Sequence, residues 1–371
     1  MSPLVLLGLA WAVLATGFSA VALARLLRAR RGPVASTRVP VLLLRPVDAP
    51  TARELDNLAR PVDYAGELEQ VVVSPYRPRL APGVRWLPSD PPAPNRKVGH
   101  LLYAVQVLRT EGRVVLAVDA DVAVTGALVE ALAAPVVAGA SLSTAAPAPV
   151  GERGVVAWAV AGLLRHSQHS FRALHAMSAG AKAVCGKALG FSPEALEALR
   201  GLADHIGEDL ELAKQLHARG LEVALAEVPA LVPLEPRASW RPALERFTRW
   251  MQVLASHRPG LYPTVPLLFT PTVPLGVLTA VLGSWELAAG TGALVVVRML
   301  LSWRLGVLAK SQRLGFLTVT TAWLLGETLL LAAFLRSLWS AGTVTWRGRT
   351  YELQRGGRMA PVWPELSGGP G

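Results

Sequence analysis

Long apolar segments lie near both ends of the chain and flank a region in which short apolar runs alternate with helix-like spacing. The first segment, Ser2–Ala24, has no charged residue in 23 positions. A helix rises about 1.5 Å per residue, so this length covers the ~30 Å hydrocarbon core of a bilayer. Arginines follow at positions 25, 28, 30, 31 and 38. We therefore predict a transmembrane anchor at 1–27, with the N-terminus outside and the following chain in the cytoplasm.

A cleaved signal peptide is the alternative interpretation of this segment. Its N-terminal region would carry positive charge, whereas no charged residue precedes the apolar run here. The pattern favours the anchor.

The region 39–258 has the alternating pattern of a cytoplasmic α/β domain. Apolar runs predict strands at 39–44, 69–74, 84–87, 114–118 and 142–148. Helical spacing predicts helices at 51–58, 98–108, 126–132, 203–218 and 241–258. This alternation favours a parallel sheet with right-handed crossovers. The apolar stretch 155–164 is too short to span a bilayer and is predicted to be a helix at the membrane face.

Three further apolar blocks follow Arg258, at about 261–283, 285–303 and 314–338. Prolines 263, 266, 271 and 274 predict that the first block is broken or interfacial, so the membrane region 259–340 would hold two to three spans. Glu286, Arg298 and Glu327 interrupt the blocks, and such residues are costly at membrane depth unless they are paired or face a cavity. Three spans would leave the basic tail, 341–371, outside, whereas its arginines favour the cytoplasm. The sequence leaves the number open.

Composition agrees with a membrane protein and excludes several other classes. The chain is 52% hydrophobic over 371 residues, with a mean hydropathy of +0.38. The net charge of +11 suits anionic headgroups and a nucleotide diphosphate. Basic motifs interleaved with aromatic residues are absent, so no nucleic acid partner is expected. The single Cys185 excludes an internal disulfide and agrees with a reducing compartment.

Two aspartates, Asp119 and Asp121, follow the apolar run 114–118. The carboxyl end of such a strand is where α/β sheets bind ligands. Two acids one residue apart can share a diphosphate-bound Mg²⁺ or Mn²⁺, because these hard cations prefer oxygen ligands. We predict Asp121 as a metal ligand and Asp119 beside it, at the metal or the ribose. Alone, the pair would equally suit a turn with helix-capping acids.

Glu208 and Asp209 form a second acidic motif, directly after Gly207. Glycosyl transfer with inversion needs a carboxylate that takes the proton of the attacking hydroxyl. We assign this role to Asp209, with Glu208 as its catalytic neighbour. The alternative is a pair of acids that stabilise a helix N-terminus.

Two basic motifs are candidates for contacts with the donor. Arg246, Arg249 and Trp250 share one helical face and would clamp a diphosphate, with Trp250 as a wall for the acceptor or sugar. The same helix also suits the surface of a bilayer, and both interpretations can hold. Asn95 and Lys97 precede a helix and would offer a lysine to a phosphate, or belong to a solvated loop.

The order of these motifs resembles the processive-type inverting glycosyltransferases, whose nucleotide-diphospho-sugar-binding α/β fold is called GT-A. More narrowly, the chain is similar to ceramide glucosyltransferases and to bacterial enzymes associated with hopanoid glycosylation, from about residue 1 to 358. The segments that carry this likeness are Leu43-Leu44-Arg45-Pro46, Asn95-Arg96-Lys97-Val98, Val184-Cys185-Gly186, Ala203–Asp209 and Trp346–Tyr351.

The resemblance implies a membrane-bound enzyme that transfers a sugar, glucose in the ceramide enzymes, from a UDP-sugar to a lipid hydroxyl with Mg²⁺ or Mn²⁺. It implies Asp121 at the metal and Asp209 as base. His169 falls where the ceramide enzymes place a histidine, on the acceptor side. Asp48 is the expected nucleotide-binding acid, although it comes early in its motif. Ser74-Pro75-Tyr76 replaces acids that relatives place near the nucleobase.

The exact lipid, ceramide or a hopanoid or another, stays open at this point. Two other classes also remain: a glycosyltransferase-like protein that binds lipid without turnover, and a polymerising synthase. A synthase generally needs more spans to form a channel than this chain offers.

Overall fold

The computed structural model describes residues 1–28, 38–178, 180–235, 238–308, 315–340, 342–346 and 349–362. Within these ranges, residues 169, 170, 308 and 346 are described by their backbone alone.

A seven-stranded sheet lies at the centre of the molecule, in the order β3-β2-β1-β4-β7-β5-β8. Its neighbours pair in parallel except at β7, which is antiparallel to both β4 and β5. The strands are β1 (Val41–Pro46), β2 (Leu68–Ser74), β3 (Arg85–Pro88), β4 (Val114–Val118), β5 (Leu142–Thr144), β6 (Pro147–Val150), β7 (Ala188–Phe191), β8 (Val223–Leu225), β9 (Ala230–Pro233), β10 (Thr343–Trp346), β11 (Arg349–Leu353) and β12 (Met359–Pro361).

Helices cover both faces of this sheet, which explains the continuous apolar runs in β1 and β4. One face packs against α3, α6 and α7, and the other against α1, α4, α5, α8 and the C-terminal helices. The helices are α1 (Pro3–Arg28), α2 (Ala52–Leu58), α3 (Arg96–Val107), α4 (Gly126–Val137), α5 (Val155–Met177), α6 (Pro193–Leu199), α7 (Glu208–Ala218), α8 (Trp240–His257), α9 (Thr272–Leu282), α10 (Trp285–Leu308) and α11 (Phe316–Trp339). The predicted fold class, an α/β domain with apolar helices at both ends, is confirmed.

Several sequence-based boundaries were wrong, including the end of the helix predicted at 126–132, which continues to Val137. The helix predicted at 203–218 begins only at Glu208, because Gly207 has φ 71° and a left-handed residue ends the helical path on its N-terminal side. The strand predicted at 142–148 is two strands in different sheets, since β5 joins the large sheet and β6 pairs with β9. Pro147 and Pro149 lack the N–H that a central strand would need.

Another wrong boundary is that of α5, which continues to Met177 instead of ending near residue 164. Two polar residues just beyond the predicted end are buried: Arg165 pairs with Glu152, and the His166 ring stacks on Trp323 of α11 at 6.0 Å. Gly162 lies directly against the α11 backbone, so the two helices touch closely. The continuation of α5 beyond residue 164 therefore packs against α11 through His166.

In the described chain, α1, α10 and α11 are long and apolar enough to cross a membrane, and a pair bent by 65°, Tyr262–Phe269 with α9, gives a fourth candidate. The predicted break in the first apolar block is present. The buried ionisable residues are paired, as the cost of burial requires: Arg298 binds Glu327 at 2.9 Å, and Glu327 accepts the Thr272 backbone N–H at 2.6 Å. Glu286 accepts a hydrogen bond from Ser284 near the start of α10.

The C-terminal residues predicted as a basic tail form an antiparallel sheet of three strands, β10-β11-β12. We call this the C-terminal sheet. Its residues Val344, Tyr351 and Met359 form a buried cluster with Ile206, just before α7, and Val253 of α8 packs against it. The C-terminal sheet and the large sheet therefore belong to one packed unit.

Candidate active site

The two acidic motifs meet at the carboxyl end of β4, held together by the segment Cys185-Gly186-Lys187. The Asp119 backbone N–H donates to the Lys187 carbonyl at 2.9 Å, continuing the pairing of β4 with β7. The Gly186 N–H donates to Asp209 Oδ2 at 2.6 Å. Acids that are far apart in sequence thus line one edge of the sheet, as predicted for parallel strands.

Lys97, in the first turn of α3, lies between the two motifs. Its ammonium is 2.9 Å from Asp119, 3.1 Å from Glu208 and 2.6 Å from the Gly186 carbonyl oxygen. Burial alone would lower the pKa of Lys97, but the attraction of Asp119 and Glu208 raises it, so the side chain stays charged. In this structure Lys97 holds acids together, whereas the sequence suggested a phosphate contact.

Asn95, predicted at the donor, is fully buried, and its side chain forms hydrogen bonds with other residues of the protein. Its Oδ1 accepts the Val98 N–H at 3.2 Å and so caps α3. Its Nδ2 donates to the His205 carbonyl at 2.7 Å and to Glu208 at 3.0 Å. Asn95 therefore fixes the orientation of Glu208.

Glu208 and Asp209 are neighbours with opposite shifts in pKa. Burial, followed by the negative charge of Glu208, raises the pKa of Asp209 to about 6. Burial would also raise the pKa of Glu208, but Lys97 lowers it below its usual value. Glu208 thus remains ionised, while Asp209 titrates close to neutral pH, where a general base works best.

Asp121 is surrounded by cations. Lys187 forms a close ion pair with its Oδ2, and Arg246 approaches the same oxygen at 3.7 Å. Burial would raise the pKa of Asp121, but Lys187 and Arg246 lower it, so the carboxylate is ionised. Its other oxygen, Oδ1, is buried and has no hydrogen-bond partner among the described residues.

This free oxygen is the feature that fits a divalent cation. Asp121 Oδ1 and the carboxylate of Asp119 offer hard oxygen ligands at the sheet edge. Within the described chain, no group of three or more His, Cys, Asp or Glu side chains could surround a metal. The two aspartates could therefore supply part of a coordination shell, with phosphate oxygens and water as the rest, which is the usual arrangement for Mg²⁺.

The basic motif on α8 reaches this centre through Arg246. The Arg246 guanidinium lies 5.8 Å from the ring centres of both Phe247 and Trp250, and these two rings pack edge to face at 5.0 Å. Arg249 lies almost one turn further along α8. Arg246 is thus held between an aromatic pair and Asp121.

A cavity of about 370 Å³ opens beside Asp121 and Arg246. Apolar side chains from α5, β9 and α8 form much of its wall, namely Ala157, Val160, Val232, Leu234, Ala243 and Phe247. A charged centre next to an apolar chamber suits a substrate with a polar end and an apolar body.

Asp48 lies beyond the end of β1, where Arg96 binds it at 2.7 Å and His100 Nε2 lies 3.5 Å away. Its position after a parallel strand agrees with the predicted nucleotide side. His169 lies in the second half of α5, but its side chain is outside the described part of the structure.

Two residues at this centre were missed by the sequence reasoning. Arg45, fully buried in β1, donates to the carbonyls of Val118, Asp119, Ala120 and Val122, and so holds the loop that carries both aspartates. An arginine after four apolar strand residues was the available signal, because a buried charge must find partners. Lys187 had no such signal, since its partners lie 66 and 68 positions away in the chain.

Comparison with known proteins adds three findings. No curated protein matches the chain. Among solved structures, the mannosyltransferase PcManGT from Pyrobaculum calidifontis, in complex with GDP-Man and Mn²⁺, is similar over 90% of this chain and 99% of its own, with 17% identity and a TM-score of 0.44. The model of glycosyl transferase family 21 matches residues 86–359, which include the acidic motifs, the α8 motif and most of the C-terminal sheet. The chain therefore belongs to glycosyl transferase family 21, in agreement with the resemblance drawn from its motifs.

Proposed function

We propose that this glycosyltransferase moves a sugar, glucose by its family resemblance, from a UDP-sugar to the hydroxyl of a membrane lipid, with inversion at the anomeric carbon. The observation that carries the proposal is that the two neighbouring acids, Glu208 and Asp209, differ in pKa. Asp209 has a pKa of about 6 and can accept a proton, while Glu208 stays ionised against Lys97. The cationic surroundings of Asp121 lie close by, where a leaving diphosphate needs positive charge.

In this mechanism Asp209 accepts the proton of the lipid hydroxyl as its oxygen attacks the anomeric carbon and the bond to UDP breaks. Attack from the face opposite UDP gives a β-linked product from an α-linked donor. The Gly186 N–H, at 2.6 Å from Asp209 Oδ2, keeps the carboxylate aimed while its charge changes. Arg246 and Arg249 bind the diphosphate, and Trp250 provides a flat wall for the sugar or acceptor.

Asp121, with Asp119 beside it, would hold a Mg²⁺ or Mn²⁺ ion. When bound, such an ion neutralises charge on the leaving diphosphate. The nucleotide part of the donor would lie toward Asp48, at the carboxyl ends of β1 and β2.

Several features support a lipid acceptor over a soluble one. Apolar helices adjoin the site through α5 and α8, and these same two helices supply part of the apolar wall of the 370 Å³ cavity. A hydroxyl at headgroup depth could enter without leaving the membrane. Ceramide is the acceptor that the family resemblance suggests, with a hopanoid or another hydroxylated lipid as the alternative. His169 is proposed on this acceptor side.

The decisive variant is Asp209→Asn, which keeps the shape of the side chain but removes the proton acceptor. We expect kcat to fall roughly 10²–10⁴-fold while donor binding is largely retained. The exposed Asp56→Asn on α2 is the matched control and should behave as wild type. Normal turnover by Asp209→Asn would place the base elsewhere, with Glu208 and His169 next in line.

Product analysis separates the rival classes. Purified protein is incubated with UDP-glucose and a lipid extract, and the lipids are examined by mass spectrometry. A single added hexose supports the proposal, a ladder of hexoses indicates a polymerising synthase, and no new glycolipid with any UDP-sugar indicates a binding protein. An α-linked product in the NMR spectrum would contradict inversion.

A further inference from the structure

Lys187 is the one described side chain that forms an ion pair with both aspartates of the first motif while its own backbone adjoins the second. Its ammonium pairs closely with Asp121 Oδ2 and lies 3.9 Å from Asp119 Oδ2. The side chain is only 10% exposed, so solvent screens these pairs weakly. The next residue back, Gly186, binds Asp209.

A divalent cation held by Asp121 Oδ1 and Asp119 would lie only a few ångströms from this ammonium, which is paired with Asp121 Oδ2. A cation bridging Asp119 and Asp121 must lie within bonding distance of both carboxylates, as Lys187 nearly does. Two positive centres a few ångströms apart repel strongly in a partly buried site. Lys187 in its present position and a cation on the same pair therefore compete.

A nucleoside diphosphate changes this balance because it brings negative charge of its own. The lysine stem is flexible, and its ammonium binds phosphate as readily as carboxylate. With a diphosphate beside Asp121, the ammonium can move from the carboxylate to a phosphate oxygen and remain paired.

We propose that Lys187 is a resident counter-cation of the donor site. It neutralises Asp119 and Asp121 in the donor-free protein, opposes binding of a divalent cation alone, and turns to the diphosphate when the donor arrives. Metal and donor then bind together, and neither aspartate is left without a positive partner. This inference rests on the proposed nucleotide-sugar donor and adds a residue and an order of binding to it.

The test measures metal binding without turnover, on the full-length protein in detergent. Mn²⁺ affinity is determined by electron paramagnetic resonance, with and without UDP. For wild type we expect weak binding of Mn²⁺ alone and binding at least about tenfold tighter with UDP. For Lys187→Met we expect Mn²⁺ alone to bind at least about tenfold tighter than to wild type, and UDP to bind more weakly.

Three further variants define the site. Asp121→Asn should lose Mn²⁺ binding, which identifies the site at which the affinity is measured. Lys187→Arg keeps the positive charge and should retain weak Mn²⁺ binding. Lys214→Met removes a lysine that pairs with Glu211 on α7, away from Asp119 and Asp121, and should match wild type. If Lys187→Met fails to fold, Lys187→Gln replaces it.

An Mn²⁺ affinity that is the same in wild type, Lys187→Met and Lys187→Gln would overturn the inference, as would tight binding of Mn²⁺ to wild type without UDP. These outcomes are separable from those of the proposed function. Lipid glycosylation with an unchanged Mn²⁺ affinity would reject the role of Lys187 alone. The expected Mn²⁺ behaviour without any glycolipid product would reject the lipid acceptor and leave Lys187 as a donor-site residue.

Discussion

Two adjacent carboxylates in this site differ in charge because of what lies next to each. Glu208 faces the Lys97 ammonium and the Asn95 amide, and both favour its ionised form. Asp209 receives two backbone N–H groups, from Gly186 and Leu210, but is buried beside the negative charge of Glu208. The site thus pairs an acid whose pKa is lowered with a neighbouring acid whose pKa is raised.

The pH dependence of the free enzyme should report this arrangement. Asp209 is active as a base only when ionised, so kcat/KM should decline as the pH falls through the pKa of about 6, by about tenfold per unit below it. Glu208→Gln removes the neighbouring negative charge, so the pKa of Asp209 falls and the decline should begin at a lower pH. Exposed Glu197→Gln on α6 is the control. An acidic limb at the same pH in wild type and Glu208→Gln would contradict this account.

At the scale of single residues, local patterns predicted positions well and contacts poorly. That Asp119 and Asp121 end a strand follows from the apolar run before them. That Lys97 also pairs with Asp119 and Glu208 does not follow from its local sequence, because these partners come from the end of β4 and from α7. Asn95 is similar: its capping role is local, but its bond to Glu208 spans 113 positions.

Among the elements, the C-terminal sheet has the closest relation to the base. The segment 204–206 just before α7 makes its backbone bonds largely to this sheet: the Ile206 N–H donates to the Gly357 carbonyl and the Met359 N–H to the Asp204 carbonyl, each at 2.8 Å. Arg358 adds a 2.7 Å ion pair with Asp204. The segment that leads into Glu208 and Asp209 is therefore anchored from the far end of the chain.

A pair of adjacent glycines gives a matched test of this anchoring. Gly356 and Gly357 both have φ +81°, so alanine costs similar backbone strain at either position. An added Cβ meets nothing within 4 Å at Gly356, but at Gly357 it overlaps the His257 ring and comes within 2.6 Å of the Ile206 carbonyl oxygen. We expect Gly357→Ala to lower kcat about tenfold or more, with KM for the donor little changed, and Gly356→Ala to have a much smaller effect.

Thermal unfolding of both variants shows whether the fold is retained, and the pH profile of kcat/KM distinguishes a displaced base from a general loss of structure. A displaced Asp209 carboxylate is less buried, so its acidic limb should move to lower pH in Gly357→Ala. Equal kcat in the two alanine variants would contradict a positioning role for the C-terminal sheet.

The elements also show where sequence patterns lose information. Strands β2 and β4 could be predicted almost to the residue and β1 to within two residues, since buried central strands carry continuous apolar runs. The C-terminal sheet could not be predicted, because most of its residues are polar or charged. Its few apolar residues form a buried cluster only together with Ile206 and Val253, which are distant in sequence. The end of α5 was misplaced for a similar reason, since the residues after 164 pack against α11, which lies far away in the sequence.

For the whole molecule, the packing of the apolar helices bears on how the chain crosses the bilayer. Helices α1 and α10 run in parallel, since Gly8 lies against Leu287 and Ser19 accepts a hydrogen bond from Arg298 at 3.2 Å. The bent pair runs the opposite way, with Phe269 beside Phe18 and Leu278 beside Gly8. It carries the chain toward the N-terminal end of α1, and α10 carries it back.

Helix α11 ends beside the catalytic unit. At its end, Ser340 accepts a hydrogen bond from Gln252 of α8 at 2.8 Å, and the C-terminal sheet that follows packs beside α7. We therefore predict three crossings, by α1, the bent pair and α10, with α11 lying along the inner surface. From the charge bias after α1 we predict that the catalytic unit and the C-terminal sheet lie in the cytoplasm.

Labelling with a membrane-impermeant maleimide in intact cells tests this topology. On a Cys185→Ser background, Trp285→Cys at the start of α10 should react from outside. Glu111→Cys in the catalytic unit and Thr350→Cys in the C-terminal sheet should react only after permeabilisation. Labelling of Thr350→Cys alone from outside would show that α11 crosses the bilayer. Labelling of both Glu111→Cys and Thr350→Cys from outside would show that the orientation is the reverse of the predicted one, with the catalytic unit and the C-terminal sheet still on the same side.

The dependence of the base on the last strand has a consequence for biosynthesis. A ribosome makes Glu208 and Asp209 roughly 150 residues before β12, and the apolar helices α9, α10 and α11 are made in the interval. Until Met359 pairs with Asp204, the segment that aims the base lacks its anchor. We expect a nascent or truncated protein that lacks β12 to have no transferase activity on lipid. Activity should appear only once translation and membrane insertion are both complete.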